Sequence, residues 1–212
     1  MNNDLKVKNF IKLLKKLYPK PKIELDYDSD FQLLVAIIMS AQATDKQVNK
    51  VNKIFFTKFK NPKDLFDLWQ DFIKNEIKSI GLYNSKSKNI FETSKLLTLN
   101  YNWLIPNNLD ELQKLPWVWI KTAKVFLIVT KNMPYLAVDT HVHRVLNRWW
   151  FVNTKTPLQT DKEALNIFTK KDILWLHHRL VLFGRYYCTA KKHKCEIDPI
   201  LKDICPYREK NT

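Results

Sequence analysis

Glycine is nearly absent from this chain, since only Gly81 and Gly184 occur in 212 residues. A protein of this length carries roughly fifteen glycines, because glycine makes up about 7% of an average sequence. Glycine is the residue that adopts the left-handed backbone of tight turns most easily. The chain must therefore turn at Asn, Asp and Pro, or some of its turn positions are written with the wrong residue. Seven tryptophans, a high number for this length, accompany the glycine shortage.

Apolar residues recur at helical spacing along the whole chain, and no segment alternates like a β-strand between hairpin turns. The sequence therefore predicts an all-α fold, and its length suits one compact domain or two small, closely packed ones. Asp28, Ser29, Asp30 and Thr44 are candidate N-caps near the start of the chain. The predicted helices cover about 4–17, 31–41, 44–55, 62–68, 71–79, 85–97, 108–114, 121–131, 140–149, 161–169 and 172–186.

The net charge is strongly positive, at +15 from 36 Lys and Arg against 21 Asp and Glu. Such a surplus favours a polyanionic partner, first nucleic acid and second an acidic membrane surface. The N-terminal segment has no uninterrupted apolar stretch, so no signal peptide is expected. The longest apolar run, 33–39, is too short to cross a bilayer. A soluble cytoplasmic protein is therefore expected.

Five segments stand out for the polar and charged residues that they carry. The segment 115–123 (LPWVWIKTA) separates two predicted helices, and 137–145 (AVDTHVHRV) follows it. The others are 40–45 (SAQATD), 80–86 (IGLYNSK) and 178–188, which ends at a cysteine.

Taken in their order along the chain and with their spacing, the five segments resemble endonuclease III of the helix-hairpin-helix DNA glycosylase superfamily over about residues 31–207. The resemblance implies a six-helix barrel domain at 22–133, which carries the hairpin. Residues 1–21 and 134–212 would form a second helical domain that ends in a degenerate iron-sulfur loop. The family removes oxidised pyrimidines from duplex DNA and cleaves the abasic strand by β-elimination. The implied partner is double-stranded DNA with damaged or abasic sites, bound by a monomer.

The resemblance also assigns roles to individual residues. Lys121 would attack the anomeric carbon of the sugar and form a Schiff base, which needs a neutral amine. Asp139 would stabilise positive charge on the sugar or assist proton transfer. Gln42 and Leu82 would fill the gap left by the flipped base. Read alone, these four residues are a solvated helix-start lysine, an N-cap, a loop amide and a core leucine.

Two further groups of residues are implied to contact DNA phosphates. The hairpin residues are Trp117, Val118, Trp119 and Thr122, because such hairpins aim backbone N–H groups at a phosphate from a helix start. Lys191 and Lys192 lie in a basic loop near the C-terminus.

The family pattern of four cysteines, C-x6-C-x2-C-x5-C, holds a [4Fe–4S] cluster. Here Cys188 and Cys195 have the first spacing, Asp198 occupies the third position, and Cys205 comes one residue late. Two alternatives stay open. Three thiolates and one carboxylate could hold a cluster, or the cluster is lost and apolar packing holds the loop.

Tryptophan occupies positions where relatives tend to have glycine. Trp117 and Trp119 lie in the hairpin, and Trp69, Trp103 and Trp150 lie elsewhere; Trp149 and Trp175 look ordinary. One hypothesis is that the source reads UGA as glycine, while the sequence as written reads it as tryptophan. The alternative is true divergence, in which bulky indoles impair the hairpin and leave a catalytically impaired DNA-binding remnant.

Overall fold

The computed structural model describes residues 3–191, 201 and 204–207. Within these ranges the regular structure is helical and contains no β-strand, which confirms the all-α prediction. None of the described helices combines the length and apolar character that crossing a bilayer demands. The helices are α1 (Asn3–Leu17), α2 (Asp30–Ser40), α3 (Asp45–Phe55), a 3-10 turn (Phe56–Lys58), α4 (Pro62–Asp67), α5 (Trp69–Glu76), α6 (Tyr83–Asn100), α7 (Leu109–Leu112), α8 (Ile120–Lys131), α9 (Thr140–Arg148), α10 (Pro157–Ala164) and α11 (Lys170–Tyr186).

Side-chain caps fix where many of these helices begin. The hydroxyl oxygens of Ser29 and Thr44, both predicted as caps, accept hydrogen bonds at 3.2 Å from the backbone N–H groups of Gln32 and Gln47, respectively. The predicted helix 161–169 starts too late, because Thr156 and Gln159 form a capping box that begins α10 at Pro157. A side-chain cap of this kind satisfies backbone N–H groups that a helix leaves unpaired in its first turn.

The chain divides into two compact units, 24–132 and 1–23 with 133–212. In the first unit, α2 is buried from Phe31 to Met39 and packs against α3, α6 and α8. Helices α4 and α5 pack on α6, and the short α7 packs on α8.

The second unit is built from α1, α9, α10 and α11. Its core centres on Phe10 of α1, whose ring lies 4.4 Å from the Trp149 ring and 5.0 Å from the Phe151 ring, between centroids. Phe183 of α11 closes the cluster edge-on at 6.1 Å from Phe10. Aromatic pairs in such tilted and edge-on arrangements gain more than their buried area alone provides.

Candidate nucleic-acid interface and active site

The turn between α7 and α8 is a tight, pinned hairpin. The Val118 amide donates to the Leu115 carbonyl oxygen at 3.1 Å, which closes a four-residue turn around Pro116 and Trp117. Val118 is buried and anchors the turn from inside. The Thr93 hydroxyl of α6 donates to the Pro116 carbonyl oxygen at 3.3 Å. The hairpin is therefore held by its own backbone, by an apolar anchor and by a neighbouring helix.

Lys121 is the second residue of α8, and its side chain is exposed. It follows the hairpin directly, at the helix end where unpaired backbone N–H groups carry partial positive charge. Trp119 and Ile120, just before it, are also exposed, whereas Thr122 is half-buried. The start of α8 thus presents an amine and backbone N–H groups together, an arrangement suited to an anionic ligand.

Gln42 and Leu82 lie in two neighbouring loops of the same unit. Both side chains are exposed, and Leu82, at 51% exposure, is not a core leucine. A Cβ built on Gly81 would lie 3.8 Å from the Gln42 carbonyl oxygen, so the two loops are in contact. The Gln47 side-chain amide also donates to the Ser79 carbonyl oxygen. The structure therefore brings these two predicted site residues together.

Gln42 and Leu82 also share an uncommon backbone conformation. Their φ angles are 56° and 59°, in the left-handed region that side chains with a Cβ seldom adopt. Backbone strain of this kind, of order 1–3 kcal/mol per residue, clusters at ligand-binding sites.

Asp139 is the N-cap of α9, in the other unit. Its Oδ1 accepts a hydrogen bond from the Val142 amide at 2.8 Å, and its side chain is half-buried. The cap role that its sequence position suggests is thus present. It occupies one carboxylate oxygen and leaves Oδ2 as the second acceptor atom of the group.

Two arginines of α9, which the sequence interpretation did not single out, hold the segment after α11. Arg148 donates to the carbonyl oxygens of Thr189 at 2.7 Å and Ala190 at 3.0 Å, and its guanidinium lies 4.4 Å from the Tyr207 ring centroid. Arg144 donates to the Cys188 carbonyl oxygen at 2.9 Å. Their four-residue spacing, which places both on one helix face, was the available signal.

Cys188 and Cys205 lie buried in the same apolar core and are not joined by a disulfide. Burial raises the pKa of the Cys188 thiol, while Arg148, 3.6 Å from its sulfur, opposes that rise. Cys195, Asp198 and Lys192 lie outside the described residues, and Lys191 is exposed. Across the residues described, no group of three or more His, Cys, Asp or Glu side chains is placed to hold a metal.

The donor set does not fit a four-thiolate cluster. The chain contains three cysteines, and the third position of the family pattern is Asp198. Iron-sulfur clusters of the [4Fe–4S] type are held by four cysteine thiolates.

Lys86 is a second feature that sequence analysis missed. Its Nζ is buried without a hydrogen-bond partner, and burial lowers the pKa of the amine. Lys86 lies one turn into α6, where its backbone amide donates to the Leu82 carbonyl oxygen at 3.0 Å. Nothing in a lysine at this helical position distinguishes a buried amine from a solvated one.

Comparison with known proteins identifies the family. Residues 35–170 match the HhH-GPD superfamily of base excision DNA repair proteins. The chain belongs to this superfamily. Endonuclease III of Rickettsia conorii is 45% identical over 201 residues, covering 95% of both chains. Endonuclease III of Escherichia coli K12 is 40% identical over 192 residues, covering 91% of this chain and 90% of its own.

Solved structures of HhH-GPD proteins agree with this assignment. A trapped endonuclease III–DNA covalent intermediate has a TM-score of 0.91 and 36% identity, and the match covers 100% of this chain and 99% of that one. A non-covalent endonuclease III–DNA complex matches with the same values. The resemblance to endonuclease III is thereby confirmed.

Proposed function

We propose that this protein is a base excision repair DNA glycosylase that also cleaves DNA at abasic sites, with oxidised pyrimidines as its substrates. The relatives named endonuclease III and the structures of endonuclease III with DNA support this assignment. The observation that carries the lyase activity is the exposed Lys121 in the first turn of α8, immediately after the hairpin.

The partner is duplex DNA, bound by a single copy of the chain. The net charge of +15 favours the DNA backbone, and the hairpin and α8 start offer amides to a phosphate. A base inside a duplex must be flipped out before an enzyme can act on it. Gln42 and Leu82 fill the vacated space, because they protrude from adjoining loops on one unit.

Lys121 supplies the nucleophile. Its neutral amine attacks the anomeric carbon, and the damaged base leaves with the electron pair of its bond and takes up a proton from Nζ. The sugar ring then opens at the bond between the anomeric carbon and the ring oxygen, which takes up a proton, and a Schiff base forms between the sugar and Nζ. The Schiff base acidifies the C–H of the neighbouring sugar carbon. Loss of that proton expels the 3′ phosphate with its bonding electron pair, and water then releases the amine. Each step uses the same side-chain atom.

Asp139 stabilises the positive charge that develops on the sugar and moves protons to and from the Lys121 amine. Its Oδ1 is engaged by the Val142 amide, so the carboxylate is held in one orientation. We assign the reactive role to Oδ2. A carboxylate that caps a helix is thereby fixed in position for electrostatic work.

The C-terminal segment is assigned a structural role without an iron-sulfur cluster. Arg144 and Arg148 bind its carbonyl oxygens directly, and the Cys188 and Cys205 side chains join the apolar core. Iron assay and the absorbance near ~400 nm of anaerobically purified protein test this assignment. Stoichiometric iron with that band would contradict it.

Borohydride trapping on abasic-site DNA tests the lyase proposal, because reduction captures only a Schiff base. The wild-type chain should form a covalent adduct. Lys121→Gln should abolish the adduct while duplex affinity stays largely unchanged. Lys131→Gln is the matched control, an exposed lysine of the same helix about 15 Å away by helical rise, and it should trap normally. Trapping by Lys121→Gln would refute the nucleophile assignment, and no trapping by the wild-type chain would favour the non-catalytic DNA-binding protein.

A further inference from the structure

Four tryptophans have a left-handed backbone. The φ angles of Trp69, Trp103, Trp117 and Trp150 are 63°, 66°, 61° and 53°. In this region the Cβ of an L-residue crowds the neighbouring carbonyl oxygen, and a bulky residue there is an outlier. Only glycine enters it freely. Among the described residues, tryptophan provides half of the eight non-glycine positions with positive φ.

The two glycines show the opposite distribution, since neither Gly81 nor Gly184 has a positive φ. The residue that suits left-handed turns is thus absent from every such turn that the structure describes. Residues that suit such turns poorly occupy six of the eight positions, and four of these six are tryptophan. The remaining positive-φ residues are Gln42, Leu82, Asn102 and Asn132. Asparagine tolerates this region, and Gln42 and Leu82 are single cases, so tryptophan is the residue type that recurs there against its preference.

Two of the four turns have geometries that call for glycine. Pro116 and Trp117 are the second and third residues of the turn closed by the Val118 amide, and positive φ after proline is the pattern of a type II turn, with glycine third. Trp150 follows the C-cap of α9, where the Phe151 amide donates to the Leu146 carbonyl oxygen at 3.0 Å. Left-handed residues just beyond a helix are usually glycine.

The side chains of three of the four tryptophans leave much of their apolar surface in water. Trp69 is 74% exposed, and Trp103 and Trp150 are 49% and 43% exposed. A large aromatic residue contributes to stability mainly through the apolar area that it removes from water. Packing therefore does not account for a tryptophan at positions 69, 103 and 150, whereas Trp117 is half-buried and is identified by its turn geometry.

The other tryptophans differ. Trp149 has a φ of −87° and is buried, with its ring 4.4 Å from Phe10 and 6.0 Å from Phe183. Trp175 lies within α11. Trp119 is extended, with a φ of −72°, so its backbone accepts any residue and does not identify it as glycine.

We propose that residues 69, 103, 117 and 150 are glycine in the protein that the source organism makes, because UGA at these codons is read as glycine there. Trp149 and Trp175 are true tryptophans encoded by UGG. The inference rests on backbone geometry and holds whether or not Lys121 is a nucleophile. It gives the hairpin a glycine at position 117, where a backbone without Cβ approaches a phosphate closely.

The decisive measurement is the nucleotide sequence at the six codons, together with the peptide masses of the protein isolated from its own organism. We expect UGA at 69, 103, 117 and 150, with glycine in the peptides, and UGG at 149 and 175. UGG at any of the first four positions overturns the assignment there. The codon at 119 is read in the same experiment, because the extended backbone of Trp119 does not distinguish tryptophan from glycine.

A set of variants at Trp117 tests the geometric premise separately. Trp117→Gly should raise the urea midpoint of the chain most, Trp117→Asn should raise it less, and Trp117→Ala should raise it least. Alanine separates backbone from side chain, because it keeps the Cβ and lacks the indole. Trp149→Gly is the matched control and should lower the midpoint, because it empties a core position. A Trp117→Gly variant that is no more stable than Trp117→Ala, or less stable than the parent chain, would overturn the premise.

Discussion

Gly184 of α11 lies against His141 of α9 so closely that a Cβ built on the glycine would stand 2.8 Å from the Cβ of His141 and 3.2 Å from its carbonyl oxygen. The absence of a side chain at this position sets the approach of the two helices. His141 follows Asp139 by two residues, so this contact also positions the helix that Asp139 caps.

Gly184→Ala should therefore destabilise the protein by about 1–3 kcal/mol, the usual cost of overpacking a dense interior. The sign is informative, since alanine in place of glycine normally favours a helix by about 1 kcal/mol. Urea unfolding measures the change. Gly81→Ala is the control, because its Cβ would meet only the Gln42 carbonyl oxygen, at an ordinary 3.8 Å. A Gly184→Ala protein as stable as the parent would show that the helices separate freely.

Substitutions at Asp139 separate capping from catalysis. Asn caps a helix about as well as Asp, whereas Ala loses about 1 kcal/mol. We expect Asp139→Asn to keep the stability of the parent and lose most of its borohydride trapping rate, and Asp139→Ala to lose both. Thr156→Ala, which removes the cap of α10, should lower stability alone. Full trapping by Asp139→Asn would remove the carboxylate from the reaction.

Leu82→Ala should weaken binding to DNA that carries an abasic site by about tenfold, or about 1.4 kcal/mol, because less apolar surface fills the gap. Its stability should hardly change, since the side chain is half exposed. Leu99→Ala is matched in exposure and unit, and should alter neither property. A fluorescence titration with an abasic-site analogue measures the affinity. Equal affinities for the two variants would disprove the role of Leu82.

His178 predicts an acid-sensitive fold. Burial lowers its pKa from 6.5 to about 4. Between those values the unfolded chain takes up a proton that the folded chain refuses, so stability is lost as the pH falls. Over this pH range, His178 lowers the free energy of unfolding by about 3 kcal/mol in all. In His178→Gln, the free energy of unfolding measured with urea should change less between pH 7 and pH 4.5 than it does in the parent chain. A smaller pH dependence should remain from His141, because burial also lowers the pKa of its imidazole. An unchanged slope would exclude His178 as its source.

The local part of the fold is predictable from sequence. Ser29, Thr44 and Asn108 are recognisable as helix starts, because capping depends on residues two or three positions apart. The helix at Pro157 is predicted too late, since a polar, weakly periodic segment gives little signal. The break predicted between helices 62–68 and 71–79 is present, with α5 beginning at Trp69, but no periodicity shows that the φ of Trp69 is positive.

The long-range part is not predictable in this way. A lysine in the first turn of α6 gives no sign that Lys86 is buried, and an arginine on α9 gives no sign that Arg148 meets the Thr189 carbonyl 41 residues away. Such contacts depend on which helices pack together. The pairing of the Gln42 and Leu82 loops is of this kind, since 40 residues separate them in the chain.

The loops that carry Gln42 and Leu82 contact each other and so form one connected element of the surface. The side-chain amide of Gln47, in the first turn of α3 after the Gln42 loop, donates to the Ser79 carbonyl oxygen just before the Leu82 loop. Gly81 lies against the Gln42 carbonyl oxygen. Both contacts lie within one unit, so the spacing of the two loops is set by the folding of that unit. In the role proposed for Gln42 and Leu82, two loops whose spacing is already fixed lose little further conformational freedom on binding DNA, which lowers the cost of association.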